Sequence, residues 1–98
     1  MEFEWDEDKN RGNRLKHGVS FAVAIEAFDD PFELSEFDAY YEGEPRYWTI
    51  GAPNASVILF VVYTIRPLFE GHIVARIISA RPVTKAERRR YEQRAKHR

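Results

Sequence analysis

Two apolar runs near the middle of the chain constrain the fold more than any other feature. Residues 57–66 read Val-Ile-Leu-Phe-Val-Val-Tyr-Thr-Ile-Arg, and residues 73–81 read Ile-Val-Ala-Arg-Ile-Ile-Ser-Ala-Arg, with a connection containing proline and glycine at 67–71. Two β-branched and aromatic runs with such a connection are typical of neighbouring antiparallel strands. Because the first run hardly alternates with polar residues, both of its faces are expected to be covered. The chain is therefore expected to fold around a central strand pair.

Three arginines lie within this apolar pair: Arg66, Arg76 and Arg81. A guanidinium stays protonated in proteins and is costly to bury alone, so each must reach a carboxylate, a bound anion or water. Arg76 is the most informative because it lies in mid-strand, between Val74 and Ile78 on one side of the pleat. Two interpretations stay open. The arginines form ion pairs with carboxylates of the acidic first half, or they line a pocket for phosphate, which matches a planar fork of donors.

The length and composition predict one domain, residues 1–98, with one modest core. The absence of cysteine excludes disulfides, thiol nucleophiles and thiolate metal sites. The acidic N-terminus is unlike a secretory signal and no apolar run is long enough to cross a bilayer, so a cytoplasmic protein is expected. Because His17, His72 and His97 lie far apart in the sequence and no glycine-rich phosphate loop is present, neither a metal nor a cofactor is expected.

The charges are distributed unevenly along the chain. Residues 1–45 carry 13 Asp and Glu against 4 Lys and Arg, whereas residues 46–98 carry 3 against 11, and the net charge of −1 conceals this difference. Either the two halves neutralise each other in the folded protein or the basic half faces an acidic partner. Counting charges leaves both alternatives open.

Capping signals and periodicity predict two helices before the sheet and one after it. Asp6 is suited to cap the first helix and Gly18 to end it, although Gly12 in its middle is unfavourable. Ser20 is suited to cap an amphipathic second helix, and residues 84–87 form a capping-box pattern before the third. The predicted elements are an edge strand at 3–5, helices at 6–17 and 21–28, strands at 34–41, 46–52, 57–66 and 73–81, and a helix over 87–96. The predicted fold class is thus α+β: two N-terminal helices packed on an antiparallel sheet of about four strands, plus a C-terminal helix.

Two helical surfaces carry basic residues. On the first helix Lys9, Asn13, Lys16 and His17 fall on one face. Such residues either complement the helix dipole or form a functional surface. The third helix holds a basic run at 88–94, which is either a solvated face or a surface for nucleic acid or an acidic partner.

An ordered set of short motifs extends along nearly the whole chain. It comprises Phe3-Glu-Trp-Asp6, Lys9, Asn13, Lys16-His-Gly-Val-Ser-Phe21, Ala24, Phe28-Asp-Asp-Pro31, Arg46, Thr49-Ile-Gly51, Val61-Val-Tyr-Thr64, Arg66, Arg76-Ile-Ile-Ser-Ala-Arg81, Glu87-Arg88 and Tyr91. Together these motifs resemble the BrnT-type toxins of bacterial type II toxin–antitoxin systems. The resemblance implies a compact RelE-like ribonuclease that inhibits translation. It also implies a small antitoxin that silences the toxin and carries the DNA-binding part through which the pair represses its own operon.

For such a ribonuclease without metal ligands, the expected nucleophile is the 2′-hydroxyl of the RNA itself. This reaction needs a base, an acid and cations on the phosphorane. Arg66 and Arg76, together with Arg81, are expected to hold the phosphate. His17 is the expected general acid or base, with Lys16 as the alternative. The expected substrate-binding residues are Lys9, Asn13, Arg46 and Arg88.

The competing hypothesis is a non-catalytic binding module whose basic half docks an acidic protein or a nucleic acid, with the arginines as structural ion pairs. Oligomeric state is also open between a homodimer and a heterotetramer with the antitoxin. An exposed apolar loop at Leu68 and Phe69 would suit either contact. A DNA-binding repressor acting alone is not favoured, because no helix-turn-helix pair with a basic second helix is visible.

Overall fold

The protein forms a five-stranded mixed sheet with the strand order β1-β5-β4-β3-β2. The computed structural model describes residues 1–67 and 69–96, with the backbone only at Phe69. The strands are β1 (Glu2–Glu4), β2 (Leu34–Tyr41), β3 (Glu44–Asn54), β4 (Val57–Pro67) and β5 (Ile73–Pro82), the helices are α1 (Glu7–His17), α2 (Phe21–Ala24) and α3 (Lys85–Lys96), and short 3₁₀ turns cover Ile25–Asp29 and Phe69–Gly71. The proposed contact loop at Leu68 and the Phe69 side chain lies outside the described residues.

The predicted α+β class and element order are confirmed, with β4 at the centre of the sheet and paired antiparallel to β5. The described sheet has five strands rather than about four because β1 adds to the free edge of β5. The β1–β5 pairing is parallel, with Glu4 beside Arg76, so the sheet is mixed rather than purely antiparallel. A parallel pair needs a long connection, and here the two N-terminal helices and strands β2 to β4 provide it.

The predicted helix ends are confirmed by their hydrogen bonds. The Asp6 carboxylate accepts from two backbone N–H groups of the first turn of α1, and Gly18 ends this helix with φ 71°. The Ser20 hydroxyl caps α2 by accepting from the N–H of Val23. After four residues α2 tightens into the 3₁₀ turn Ile25–Asp29, so the predicted helix at 21–28 continues with a narrower winding.

The core lies between one face of the sheet and the N-terminal helices. Alternate residues of β4 contribute Leu59 and Val61, and the helices contribute Phe21, which is fully buried. Gly51 on β3 allows a close approach between the two layers. A Cβ atom there would lie 2.3 Å from the carbonyl oxygen of Ala27, so only glycine fits below the 3₁₀ turn.

Two asparagines dock α1, which has almost no apolar side chains. The Asn10 side-chain oxygen accepts from the N–H of Phe21. The Asn13 amide donates to the carbonyls of Val19 and Ala80, and its oxygen accepts from the N–H of Ala80. Asn13 is therefore buried and occupied, so its predicted place in an exposed basic stripe is wrong. Asn13 supplies hydrogen-bond partners to the backbone at the edge of β5, beyond the point where β1 ends.

α3 packs against the opposite face of the sheet. Trp48 of β3 stacks on Phe60 of β4, with ring centroids 5.4 Å apart, and the guanidinium of Arg90 lies 5.3 Å from the centre of the Trp48 ring. The Tyr91 hydroxyl donates to the carboxylate of Asp30 at 2.5 Å. These contacts cover the part of the face that includes Ile50, which is fully buried.

A β-bulge in β5 decides which arginines share a face. The β4–β5 pairing skips Ile78, which is an extra residue in β5. Arg76 and Arg81 are five positions apart and would point to opposite faces of a regular strand. With the bulge, Arg76 lies opposite Thr64 and Arg81 opposite Phe60. Both arginines therefore face the α3 side of the sheet.

Alanine substitutions at two glycines are expected to change stability in opposite directions. Gly51→Ala should lower the free energy of unfolding by about 1–3 kcal/mol, because the new methyl group meets a backbone carbonyl. Gly12→Ala is the matched control: nothing lies within 4 Å of its Cβ position. In mid-helix it should add about 0.5–1 kcal/mol. Urea denaturation measures both, and a Gly51→Ala protein as stable as wild type would contradict the close approach.

Asn13→Ala should lower the free energy of unfolding by about 2–3 kcal/mol, because it leaves buried backbone groups of Val19 and Ala80 without partners. Arg11→Ala serves as the control on the same helix, since Arg11 is exposed and its ion pair in the described part of the chain, with Asp8, lies at the surface. Its effect should stay within about 0.5 kcal/mol. Equal stability of the two variants in urea would show that the Asn13 contacts contribute nothing.

Candidate active site

The candidate site lies on the α3 side of the sheet, at the end of β4 away from the α3 contacts. Thr64 of β4 pairs with Arg76 of β5, which pairs with Glu4 of β1. On the other side of β4, Tyr47 of β3 pairs with Tyr63. Because these strands are antiparallel, Arg46, the residue before Tyr47, lies opposite Thr64, the residue after Tyr63, and thus in the same row. We call Arg46, Arg66 and Arg76 the arginine cluster.

Glu4 joins two members of the cluster. Its two carboxylate oxygens accept from Nε and Nη2 of Arg66 at 2.7 and 2.8 Å, and Nη1 of Arg76 lies 3.6 Å from Oε1. The hydrogen bonds from Arg66 lower the pKa of Glu4, and the charge of Arg76 adds to this effect. Arg66 thus has the carboxylate partner from the acidic first half that one of the two interpretations required, and Arg76 shares it.

Arg46 lies at the other end of the row. Its Nη2 is 3.1 Å from the Glu44 carboxylate, and its guanidinium lies 5.0 Å from the centre of the Tyr41 ring. Its Nε is buried without a hydrogen-bond partner within the described part of the chain. This face of the sheet therefore carries two groups: Arg66 and Arg76 with Glu4, and Arg46 with Glu44.

Arg81 does not join the cluster, although the sequence predicted that it would. Its guanidinium donates to both oxygens of Glu87 at 2.8 and 2.9 Å and lies 4.4 Å from the centre of the Phe60 ring. Glu87 also accepts from the N–H of Thr84, which completes the predicted capping box. Arg81 therefore fixes the start of α3 at the covered end of the sheet.

His17 and Lys16 lie at the opposite end of the sheet from the arginine cluster. His17 lines an open depression of about 660 Å³ together with Leu59 and Pro82. Leu59 is five residues before Thr64 on β4, which corresponds to ~16 Å along a strand, and its side chain faces the core rather than the cluster. The predicted convergence of the arginines with the end of the first helix is therefore wrong.

The remaining predicted binding residues are dispersed. Lys9 is exposed on α1, and Arg88 is exposed on α3, where it lines a small cavity of about 240 Å³ with Tyr91 and Asn54. His72 was not among the predicted site residues. It is exposed directly before β5, close in sequence to Val74, which pairs with Arg66.

Ion pairs across the fold explain part of the charge asymmetry. Glu4 pairs with Arg66 and Arg76, and Glu36 of β2 pairs with Arg90 of α3 at 3.2 Å. Arg94 adds a hydrogen bond to the carbonyl of Glu33. The acidic and basic halves thus neutralise each other where they meet in the folded protein.

Residues 1–67 and 69–96 contain no group of three or more His, Asp or Glu side chains placed to hold a metal ion. None of the helices in this part of the chain has the length and apolar character needed to span a membrane.

Comparison with known proteins identifies the class. A family described as "Ribonuclease toxin, BrnT, of type II toxin-antitoxin system" matches residues 5–87. The chain therefore belongs to the ribonuclease toxins of type II toxin–antitoxin systems, and within that class to the BrnT family. This confirms the resemblance drawn from the motifs. Membership implies an antitoxin partner.

A solved structure shows the same fold. The 1.1 Å crystal structure of the ribonuclease toxin BrnT from Brucella abortus is 27% identical to this chain, and the match covers 87% of this chain and 99% of that chain with a TM-score of 0.60. No curated protein sequence matches the chain.

Sequence reasoning missed Glu4 as a member of the site. The only available signal was the alternation Phe3-Glu4-Trp5, which predicts a short edge strand with Glu4 pointing away from its two aromatic neighbours. Its partner strand could not be read from the sequence, because a parallel neighbour can lie anywhere along the chain.

Acidification should release the start of α3. Hydrogen bonds from Arg81 hold the pKa of Glu87 below its ordinary value, an effect that burial opposes in part. The ion pair therefore stabilises the protein above about pH 4.5, and its contribution is lost as the pH falls through the folded-state pKa. The stability difference between wild type and Glu87→Gln, measured by urea denaturation, should be largest near pH 7 and shrink below pH 4.5.

The Glu92→Gln variant is the control for this measurement because Glu92 is exposed on the same helix. It should track wild type at every pH. A difference between wild type and Glu87→Gln that did not change with pH would show that the ion pair contributes no pH-dependent stability.

Proposed function

We propose that this chain is a metal-independent endoribonuclease in which Arg66 and Arg76 hold the scissile phosphate and the 2′-hydroxyl of the RNA attacks it. The observation that carries this proposal is the sharing of one carboxylate, Glu4, by two guanidinium groups on an accessible part of the sheet. The family membership supports the ribonuclease activity, and the geometry supports the location of the site.

The two arginines remain accessible despite their ion pairs. The side chain of Arg66 is 53% exposed and that of Arg76 is 41% exposed. An exposed ion pair contributes little stability, so exchanging the carboxylate for a phosphate costs little free energy. Two guanidinium forks can bind adjacent phosphate oxygens, which is the geometry that these groups favour.

Cleavage through the 2′-hydroxyl places extra negative charge on the phosphorane oxygens in the transition state. Fixed cationic donors aimed at that charge lower the barrier, and loss of one typically costs on the order of a hundredfold in rate. Arg46, in the same row, is placed to contact the next phosphate, and the ring of Tyr41 beside it is exposed. RNA binding should therefore weaken as salt rises.

Neutralisation by a cognate antitoxin completes the proposed function. The antitoxin would be a small DNA-binding protein, and operator DNA would be reached only through it. Toxin, antitoxin and RNA would meet in the cytoplasm. Support for this part comes from the toxin–antitoxin family alone.

Arg66→Ala and Arg76→Ala should each reduce kcat for cleavage of single-stranded RNA by about a hundredfold, because each removes a donor to the phosphorane. The double variant should be inactive. The assay is run with excess EDTA, under which wild type should retain its rate and form a 2′,3′-cyclic phosphate. Arg11→Ala, which removes one exposed positive charge from α1, is the control and should cleave at the wild-type rate.

A wild-type protein that leaves RNA intact under all conditions, yet binds its partner tightly, would support the non-catalytic module instead. Loss of cleavage with EDTA that is restored by Mg²⁺ would contradict the metal-independent route. Undiminished cleavage by the double variant would place the site elsewhere on the molecule.

A further inference from the structure

We propose that Glu4 is the general base of the reaction, the group that takes the proton from the attacking 2′-hydroxyl. The inference rests on the ribonuclease function proposed above and deepens it. The carboxylate lies within 3.6 Å of both guanidinium groups that would hold the phosphate. A group bound to the same two arginines as the substrate phosphate lies within reach of the adjacent ribose oxygen.

The position of Glu4 suits a base rather than a purely structural anchor. Its side chain is 28% exposed, so a substrate atom can approach it. The backbone of β1 is held by parallel pairing with β5 on one side, and the capped helix α1 follows directly. The carboxylate is therefore presented on a fixed strand while its oxygens stay accessible, which meets the positioning requirement for proton transfer.

The bases expected from the sequence and the second carboxylate beside the arginine cluster lie elsewhere. His17 and Lys16 lie at the far end of the sheet, beside the depression at Leu59 and Pro82. Glu44 is beside Arg46 at the opposite end of the row. Among the described residues, Glu4 is therefore the carboxylate placed between the two proposed phosphate ligands.

Substrate binding would itself activate this base. Among the described residues, the charged groups that act on Glu4 in the free protein are Arg66 from β4 and Arg76 from β5, and both favour its ionised form. When the phosphate takes the donors of Arg66, Glu4 loses its main hydrogen-bond partner and gains a nearby negative charge. Both changes raise the pKa of the carboxylate in the complex and make it a stronger base.

Proton transfer to Glu4 accompanies the exchange of bonds at phosphorus. The 2′-hydroxyl gives its proton to Glu4 while its oxygen forms a bond to phosphorus, and the bond from phosphorus to the 5′-oxygen breaks with its electron pair. The departing 5′-oxygen takes a proton from water, and the protonated Glu4 returns its proton to solvent. The products are a 2′,3′-cyclic phosphate and a 5′-hydroxyl.

Glu4→Gln tests the inference, since it keeps the size of the side chain and removes the base. We expect kcat to fall by about 10²- to 10⁴-fold with KM changed little. Glu2→Gln is the matched control, because Glu2 is an exposed carboxylate two residues earlier on β1. Its kcat should stay within about threefold of the wild-type value, a much smaller change than the loss of a general base produces. Circular dichroism verifies that both variants are folded.

The pH profile separates a base from a positioning residue. In wild type the acid limb of the pH profile of kcat should lie at a higher pH than that of kcat/KM. The profile of kcat depends on the pKa of the base in the substrate complex, whereas that of kcat/KM depends on its pKa in the free protein. In Glu4→Gln both limbs should disappear. If Glu4 only orients the arginines, Glu4→Gln should raise KM and retain the acid limb, and this result would overturn the proposal.

The two proposals fail in different ways. Loss of activity in Arg66→Ala and Arg76→Ala with normal activity and pH profile in Glu4→Gln would leave the ribonuclease site in place and remove the general base. Absence of RNA cleavage by wild type would remove the ribonuclease proposal and the base together.

Discussion

The edge of β5 is the constraint on which the rest of this structure depends. Its first half is paired by β1, and beyond that strand the side chain of Asn13 supplies the donor and acceptor that Ala80 would otherwise lack. Residues 2–17 must therefore both pair with the first half of β5 and bring Asn13 to Ala80. These two requirements fix the positions of β1 and α1 relative to the sheet. That relationship also places Glu4 beside Arg76 and lets it reach Arg66. The candidate site is therefore a consequence of how the sheet edge is closed.

The face of the sheet opposite the N-terminal helices is divided by α3 into two regions with different chemistry. At one end Arg81 is committed to Glu87, and Trp48, Phe60 and Arg90 stack beneath the helix. At the other end Arg66 and Arg76 share the carboxylate of Glu4 in solvent-accessible pairs. The same residue type thus serves two roles on one face. Ion pairs that are partly buried and joined to a capping box resist exchange, whereas exposed pairs can yield to an anion because water screens them and little stability is lost.

Local signals predicted the elements of the fold well. The caps at Asp6, Ser20 and Thr84 and the stop at Gly18 are where the sequence indicated, because each depends on contacts within a few residues. Asn13 was misplaced because helical periodicity cannot distinguish an exposed amide from one that pairs with a distant strand. The grouping of Arg81 with Arg66 and Arg76 was wrong because sequence spacing does not show which carboxylate an arginine will reach. The predicted position of His17 beside these arginines was wrong, because no signal in the sequence indicates which end of a sheet a helix will approach.

The amino-acid sequence by itself determined the α+β class, the order and ends of its helices and strands, the central pair β4–β5 and, through its motifs, the family. These properties follow from periodicity, capping and turn chemistry, which act over short stretches of chain. Only the tertiary structure decided that β1 adds in parallel, that the bulge at Ile78 turns Arg76 and Arg81 to one face, and that Glu4 lies between two arginines more than sixty residues away in the chain. Those outcomes depend on strand partners and register, which arise from packing between distant segments and leave no local trace in the sequence.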